Sequence, residues 1–343
     1  FKQKTAYEML RSLVGSEMCI RDSWWLIQII GERSRTVFGS QTTCAGTQKA
    51  DADTNRGPLA PPPAAKREGT SPGGDSWNGF WRNVGAFRGV LFIYLLSPLV
   101  LIETYVGMHI DVAGAAFLAG SYRYAVKGSP YTALTLLVAA VLVKYIALPA
   151  VPVLVLMLVH SRCTGRSNAP GPVLFKWCAW SLGVAALFFA PYIEGGTGMF
   201  RTLASYSLYW DFNGPLHWLF VMSAGRYAPL VRAIVFLGLL GYIFNRFEGP
   251  PTRITLAVAA FVLTGPAVFP WYFVILAPFL ALDSTRTGLI LTILPFLSYV
   301  VLIDFQEAGV WQESSWVRFV EYFPVAACLA LDFWRRRCTR EGR

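Results

Sequence analysis

From about residue 85 onward, the sequence alternates long apolar runs with short polar or Gly/Pro breaks. The interior of a bilayer contains no water that could form hydrogen bonds with the backbone. Apolar segments that cross it are therefore helices, in which the N–H and C=O groups pair with each other. The pattern therefore predicts an all-α fold, a polytopic transmembrane helical bundle with about ten membrane crossings. The predicted crossings are 86–104, 111–126, 131–144, 146–161, 173–192, 227–245, 254–269, 271–283, 287–305 and 317–334. The two on either side of Pro266 to Pro270 are short enough to be kinked or re-entrant.

Composition supports a chain dissolved in lipid. Hydrophobic residues make up 55% of it and charged residues 15%, whereas soluble domains carry about 25% charged residues. The net charge of +10 sits in short loops between apolar runs rather than on one face, so we expect membrane lipids and not nucleic acid as partners. The six cysteines show no metal-ligand spacing, and a disulfide framework is not expected.

The first 80 residues differ from the rest. Residues 1–23 resemble a translated sequencing-adapter read-through and are excluded from the fold. Residues 24–80 contain Pro61, Pro62 and Pro63 and bury too little apolar surface to fold alone, which predicts a disordered linker. We expect residues 81–343 to form the transmembrane domain, truncated at its N-terminal side.

The basic residues orient the predicted helices. Lys and Arg concentrate in one set of loops, which ends with the tail residues Arg335, Arg336 and Arg337. Basic loops face the cytoplasm, so the C-terminal tail is predicted to be cytoplasmic. Alternation then gathers an unusual set of polar and aromatic side chains at the opposite face: His109, Asp111, Lys144, Asp211, Asn213, His217, Trp271 and Tyr272. Ionisable groups are costly at a membrane, so this gathering indicates a functional site.

The segment Glu103 to Asp111 places three ionisable side chains between two predicted helices. His109 and Asp111 flank one residue, so the pair could orient a phosphate or an acceptor hydroxyl, with the carboxylate fixing the imidazole. The alternative is that Asp111 caps the next helix. A metal site would need more ligands than this segment offers.

Lys144 interrupts an apolar stretch just before Pro149. Its ammonium could bind a lipid phosphate, since a point charge suits a phosphate that is not held bidentately. The alternative is a lysine that reaches water along its own apolar stem.

Two aromatic-rich segments complete the candidate set. Rings beside carboxylate and amide groups suit a sugar, and the segment 206–220 combines Trp210, Asp211, Asn213 and His217. An interfacial amphipathic helix would show similar residues. Trp271 and Tyr272 follow Pro270, a combination that is also typical of an aromatic belt at a helix break.

Taken in order, these segments resemble bacterial polyprenyl-phosphate-mannose-dependent mannosyltransferases of the C-type glycosyltransferase superfamily, over about residues 85–282. The residues that carry the resemblance are Pro98-Leu99-Val100 with Glu103, His109-x-Asp111, Leu142-Val143-Lys144-Tyr145 before Pro149, Phe212-Asn213-Gly214-Pro215-Leu216, and Pro270-Trp271-Tyr272 with Ala277-Pro278.

The resemblance implies a multi-pass enzyme of the bacterial cytoplasmic (inner) membrane. It would move mannose from a polyprenyl-phosphate donor to a glycolipid, glycan or protein acceptor on the outer face. His109 and Asp111 would be catalytic, with a carboxylate as general base, and Lys144 would bind the donor phosphate. Other substrate-binding residues would be Glu103, Trp210, Asp211, Asn213, His217, Trp271 and Tyr272. No cofactor is implied, and whether a divalent cation takes part stays open.

Two other classes of protein fit the same hydropathy. A transporter or lipid flippase would also have about ten helices, but it places its polar groups near the midplane on broken helices. A non-catalytic membrane scaffold would need no cluster of His, Asp and Lys. The edge position predicted for these groups favours the enzyme.

Overall fold

The computed structural model describes residues 94, 96–163, 170–195, 198, 201, 211–282, 286–308, 311 and 313–341. The interpretations of residues 1–23 and 24–80, residues 86–93 and 95 of the first predicted crossing, and Trp210 lie outside these residues. Helix makes up 85% of the structure, and the described residues contain no β-strand. The predicted all-α class is confirmed.

Twelve α-helices are described in the ranges above. They are α1 Pro98–Leu101, α2 Asp111–Val126, α3 Pro130–Val143, α4 Ala150–Cys163, α5 Pro170–Phe189, α6 His217–Ala224, α7 Ala228–Arg246, α8 Pro250–Thr264, α9 Ala277–Leu282, α10 Arg286–Leu291, α11 Val301–Ala308 and α12 Ser315–Glu341. A π-helical turn, Ile102–Val106, follows α1. Short 3₁₀ segments cover Tyr145–Ala147, Ala190–Gly195, Gly225–Tyr227, Pro270–Leu276 and Leu294–Val300.

The centre of the structure is the packing of α2 against α3. Helix α2 is rich in Ala and Gly, and small side chains let two helix backbones approach closely. The buried Ser121 hydroxyl uses this proximity to donate a 2.8 Å hydrogen bond to the carbonyl of Ala133. This contact pairs a polar group across the two helices instead of leaving it unsatisfied in an apolar core.

The segment Pro270–Leu282 lies in the middle of the core. Every residue from Tyr272 to Ala281 is buried, and the segment packs against α2 and α8. It begins as a 3₁₀ helix and becomes α-helical only at Ala277. The predicted crossing 271–283 is therefore a short helix enclosed by protein.

The longest apolar helices face outward. By length and composition, two stretches could cross a membrane, Pro170–Glu194 and His217–Arg246, and only 6% and 11% of their most apolar windows are buried within the protein. Five shorter apolar helices accompany them. Apolar surface that the other described residues leave uncovered is suited to lipid, and these two stretches indicate membrane association.

The stretch His217–Arg246 is not one straight rod. A nitrogen of Arg232 lies 3.2 Å from Nδ1 of His217, 15 residues away, whereas a continuous helix would separate these positions by about 22 Å. The chain reverses at Gly225, which has φ of 51°, so α6 folds back against α7. The 19 residues of α7 correspond to the predicted crossing 227–245.

The predicted crossing 287–305 is broken. It consists of α10, the 3₁₀ segment Leu294–Val300 and α11. Pro295 stands at the start of this 3₁₀ segment, where proline cannot donate the backbone hydrogen bond that a continuing helix needs. This break positions Tyr299 to face the residues of the candidate site.

Candidate functional site

The first feature of the site is a buried ion pair between Lys144 and Asp111. Lys144 Nζ lies 2.6 Å from Oδ1 and 2.7 Å from Oδ2 of Asp111, and the side chains are 21% and 3% exposed. Helix α3 ends at Val143, and Lys144 has an extended backbone (φ −157°, ψ 126°) that turns its side chain towards the first residue of α2. No side-chain hydrogen bond caps the start of α2, and the Lys144 ammonium pairs with Asp111 instead of reaching water freely. Each of the two charges compensates the other.

Aromatic rings cover the same ammonium. Lys144 Nζ lies 4.6 Å from the ring centre of Tyr272 and 5.9 Å from that of Trp271. A cation over the face of an aromatic ring is stabilised by the ring quadrupole. Lys144, Asp111, Trp271 and Tyr272 therefore form one contiguous group.

His109 meets a different carboxylate from the one expected. Its Nε2 lies 3.4 Å from Oε2 of Glu103, and the side chains are 27% and 1% exposed. Glu103 lies in the π-helical turn, an uncommon feature that is frequent at functional sites. Met108 adopts φ of 53° between the two residues. The carboxylate nearest to orienting the imidazole is thus Glu103, while Asp111 holds Lys144.

Glu103 has one oxygen engaged and one that is not. The Tyr299 hydroxyl donates a 2.9 Å hydrogen bond to Oε1, whereas buried Oε2 has no hydrogen-bond donor within 3.5 Å in good geometry among the described residues. A buried carboxylate oxygen without a donor is costly. Oε2 therefore remains ready to accept a proton-bearing nitrogen, and the His109 ring is the group that faces it.

Four rings stack in a continuous column beside this pair. His109 lies on Trp271 at 4.2 Å, Trp271 on Phe269 at 4.4 Å, and Phe269 on Phe212 at 4.4 Å between ring centres. Both faces of Trp271 are covered by its neighbours. A sugar would therefore meet the edge of this indole and not its face, which limits the stacking role proposed for Trp271.

Phe212, at the end of this column, also places its own loop beside the site. The Phe212 amide donates to the carbonyl of Pro266 at 3.2 Å, and its own carbonyl accepts from Val268 at 2.7 Å. Gly214 follows, where an added Cβ would lie 2.7 Å from the Pro266 oxygen. Only glycine allows so close an approach. The segments that the sequence singled out thus converge from distant parts of the chain.

Asn213 points into the protein. It is 3% exposed and has φ of 53°, a conformation that asparagine tolerates better than most residues. Its side-chain amide donates to Glu321 Oε2 at 2.9 Å, its backbone amide to Glu313 Oε2 at 2.8 Å, and its carbonyl accepts from Tyr322 at 2.8 Å. These contacts tie the loop to α12 and leave Asn213 no surface to offer a sugar.

We therefore expect Asn213→Asp to destabilise the protein. It would replace the amide that donates to Glu321 with a second carboxyl group in a buried setting, and leaving a buried polar group without its partner costs about 1–3 kcal/mol. Thermal unfolding in detergent measures this effect. Asp211→Asn, two residues away at an exposed position, is the matched control. Wild-type stability combined with weakened sugar binding would instead give Asn213 a direct role in recognition.

The remaining predicted residues are more scattered. Asp211 is exposed, and His217 lies against Arg232 at the α6–α7 turn. The sequence reading did not find Tyr299, Glu321 or Arg232. Glu321 and Arg232 stand inside apolar runs, where an ionisable residue is itself a functional signal. Tyr299 carries no such signal.

No group of three or more His, Cys, Asp or Glu side chains that could hold a metal ion occurs in the part of the chain that the structure describes.

The sequence matches no protein-family model, and no curated protein matches it either. What the described residues define is an all-α protein with two apolar stretches long enough to span a membrane and a compact cluster of paired charges and rings.

Proposed function

We propose that this protein is an integral-membrane glycosyltransferase that moves a sugar, mannose by resemblance, from a polyprenyl-phosphate donor to a glycolipid, glycan or protein acceptor. The observation that carries the proposal is the convergence of Glu103, His109, Asp111, Lys144 and Trp271, which come from three separate segments of the chain. A sugar transfer needs a base and a cation for the leaving phosphate, and this cluster contains a candidate for each.

In the proposed reaction, His109 is the general base. The acceptor hydroxyl oxygen attacks the anomeric carbon, the bond from that carbon to the donor's phosphate oxygen breaks, and the hydroxyl proton passes to the imidazole. His109 is the more exposed member of its pair, and buried Glu103 would orient the ring and stabilise its charged form. An exposed imidazole oriented by a buried carboxylate is a recurrent base in acyl-transfer enzymes.

Lys144 would stabilise the departing lipid phosphate. An ammonium has three N–H donors, and Asp111 accepts from Nζ with two oxygens. The third donor can serve a phosphate oxygen while Asp111 keeps the ammonium in place. In this assignment Asp111 is a positioning residue, and the catalytic role that the sequence suggested for it passes to His109.

The location proposed is the bacterial cytoplasmic membrane, with about ten crossings and a cytoplasmic C-terminus. The exposed apolar faces of α5 and α7 support insertion in lipid, and the distribution of Lys and Arg supports the orientation. The cluster would then face the outer side, where the polyprenyl-linked sugar is used.

A transporter or lipid flippase is the second candidate, and one observation favours it. The Asp111–Lys144 pair lies where α3 breaks, and transporters commonly place ionisable groups at such discontinuities. The two functions differ in whether a covalent bond changes.

The test uses the purified full-length chain in liposomes with radiolabelled polyprenyl-phosphate mannose and an extract of envelope glycolipids. The enzyme produces labelled glycolipid and free polyprenyl phosphate. A flippase moves the donor between leaflets without a new labelled product. Finding neither result would contradict both functions, and finding only movement would contradict the glycosyltransferase.

A further inference from the structure

A cavity of about 260 Å³ lies between α7, α8 and the 3₁₀ segment Tyr145–Ala147. Its lining is mainly aromatic and aliphatic, with Phe261 at the centre. Tyr145 and Phe236 pack edge-on against Phe261, with ring centres 6.1 and 5.3 Å away. A cavity with this lining suits an apolar chain.

One cation lines this cavity, Arg232 of α7. One of its terminal nitrogens lies 3.2 Å from His217 Nδ1, and since a guanidinium only donates, this imidazole nitrogen accepts. Its buried Nε has no hydrogen-bond partner, and no carboxylate among the described residues forms a salt bridge with it. A neutral histidine does not compensate the positive charge of the guanidinium, so none of the described residues supplies an anion to Arg232.

The position of Arg232 relates the cavity to the bilayer. It is the fifth residue of α7, about 6 Å along the axis from the start of the helix. Leu230, Ile234 and Leu237, on the same helix, are exposed. These three residues form the outward face of α7, whereas Arg232 shares the cavity face with Ala233 and Phe236. If α7 crosses the membrane, Arg232 lies near the headgroup level, where a cation can meet a lipid phosphate.

We propose that this cavity binds an anionic phospholipid of the bilayer, with the phosphate on Arg232 and the adjoining part of one acyl chain against Tyr145, Phe236 and Phe261. A phosphate diester only accepts hydrogen bonds, and Nε–H with a neighbouring terminal N–H forms the fork that holds two of its oxygens. The apolar lining gives a lipid an advantage over inorganic phosphate, which could use only the cation. Tyr272, whose ring covers Lys144, also lines this cavity, so the two sites adjoin. Binding a phospholipid requires no sugar transfer, and this proposal stands without the proposed function.

The test measures lipid binding by native mass spectrometry of the full-length chain, released from detergent micelles with phosphatidylglycerol or phosphatidylcholine. We expect the wild type to retain phosphatidylglycerol preferentially. Arg232→Gln should weaken that binding about tenfold, because a charge-assisted pair of hydrogen bonds is lost. Arg226→Gln is the matched control, since Arg226 is exposed, contacts Tyr227 and does not line the cavity.

A second variant tests the cavity without changing charge. Ala233→Phe fills it from the lining and should lower phosphatidylglycerol retention while the thermal unfolding midpoint stays near that of the wild type. The proposal would be overturned if both variants, Arg232→Gln and Ala233→Phe, retained phosphatidylglycerol as the wild type does, or if millimolar inorganic phosphate displaced the lipid. It would also be overturned if, with polyprenyl phosphate as a third probe, both variants lost the binding of that lipid and kept phosphatidylglycerol. A wild type that binds phosphatidylglycerol yet transfers no sugar would refute the proposed function and leave this site standing.

Discussion

Lys144→Met is expected to abolish measurable sugar transfer and to destabilise the protein. Asp111 would keep a carboxylate that is 3% exposed without its counter-charge, and removing one partner of a buried pair costs about 3–5 kcal/mol. Transfer would fail as well, because no ammonium would remain for the leaving phosphate. The measurements are the liposome transfer assay and thermal unfolding in detergent.

The double variant Asp111→Asn with Lys144→Met separates the two effects. It removes both charges, so it should recover most of the lost stability while transfer stays absent. Lys127→Met, which alters a lysine in the α2–α3 turn, should change neither property. Transfer at the wild-type rate in the double variant would show that Lys144 does not serve the donor phosphate.

His109→Phe is expected to lower the turnover number by about 10²–10⁴, the range that a general base contributes. Phenylalanine can keep the ring stack on Trp271, now 4.2 Å between centres, so the fold should persist. Initial rates at saturating donor measure the loss. A turnover number that stays within a factor of two of the wild type would move the base elsewhere, with Asp111 as the next candidate.

Glu103→Gln distinguishes a positioning role from a catalytic one. It keeps the shape and the acceptor for Tyr299 but removes the negative charge near the imidazole, so its effect should be smaller than that of His109→Phe. Because the two residues act together, the double variant should be no slower than His109→Phe alone. Additive losses would contradict the proposed relation between Glu103 and His109.

Much of the helical organisation was predictable because apolar runs and breaks are local properties. The predicted crossing 111–126 coincides with α2, and 131–144 and 227–245 agree with α3 and α7 within one residue at each end. Where the prediction differed, a break within the run decided the outcome, as at Pro295. Whether these helices and the remaining predicted crossings span lipid stays a prediction, since several of the helices are short.

The sequence was a better guide to which residues lie in the cluster than to which of them contact each other. The predicted common face brought His109, Asp111, Lys144 and Trp271 into one candidate set, and in the structure these four side chains lie near one another. Their position relative to a membrane stays a prediction. The prediction from the sequence assigned the wrong neighbour to the imidazole, because Ile110, between His109 and Asp111, has a helical backbone (φ −70°, ψ −6°), and residues two apart on a helical backbone do not face each other.

By itself, the sequence determined that this chain is helical, apolar and charged in a few costly places, because hydrophobic periodicity and the cost of ions in lipid act on each segment separately. Only the tertiary structure decided which charge faces which. Tyr299 reaches Glu103 across 196 positions of sequence, and α6 brings His217 to Arg232 by folding back. Such contacts depend on how helices pack and turn, which no local pattern encodes.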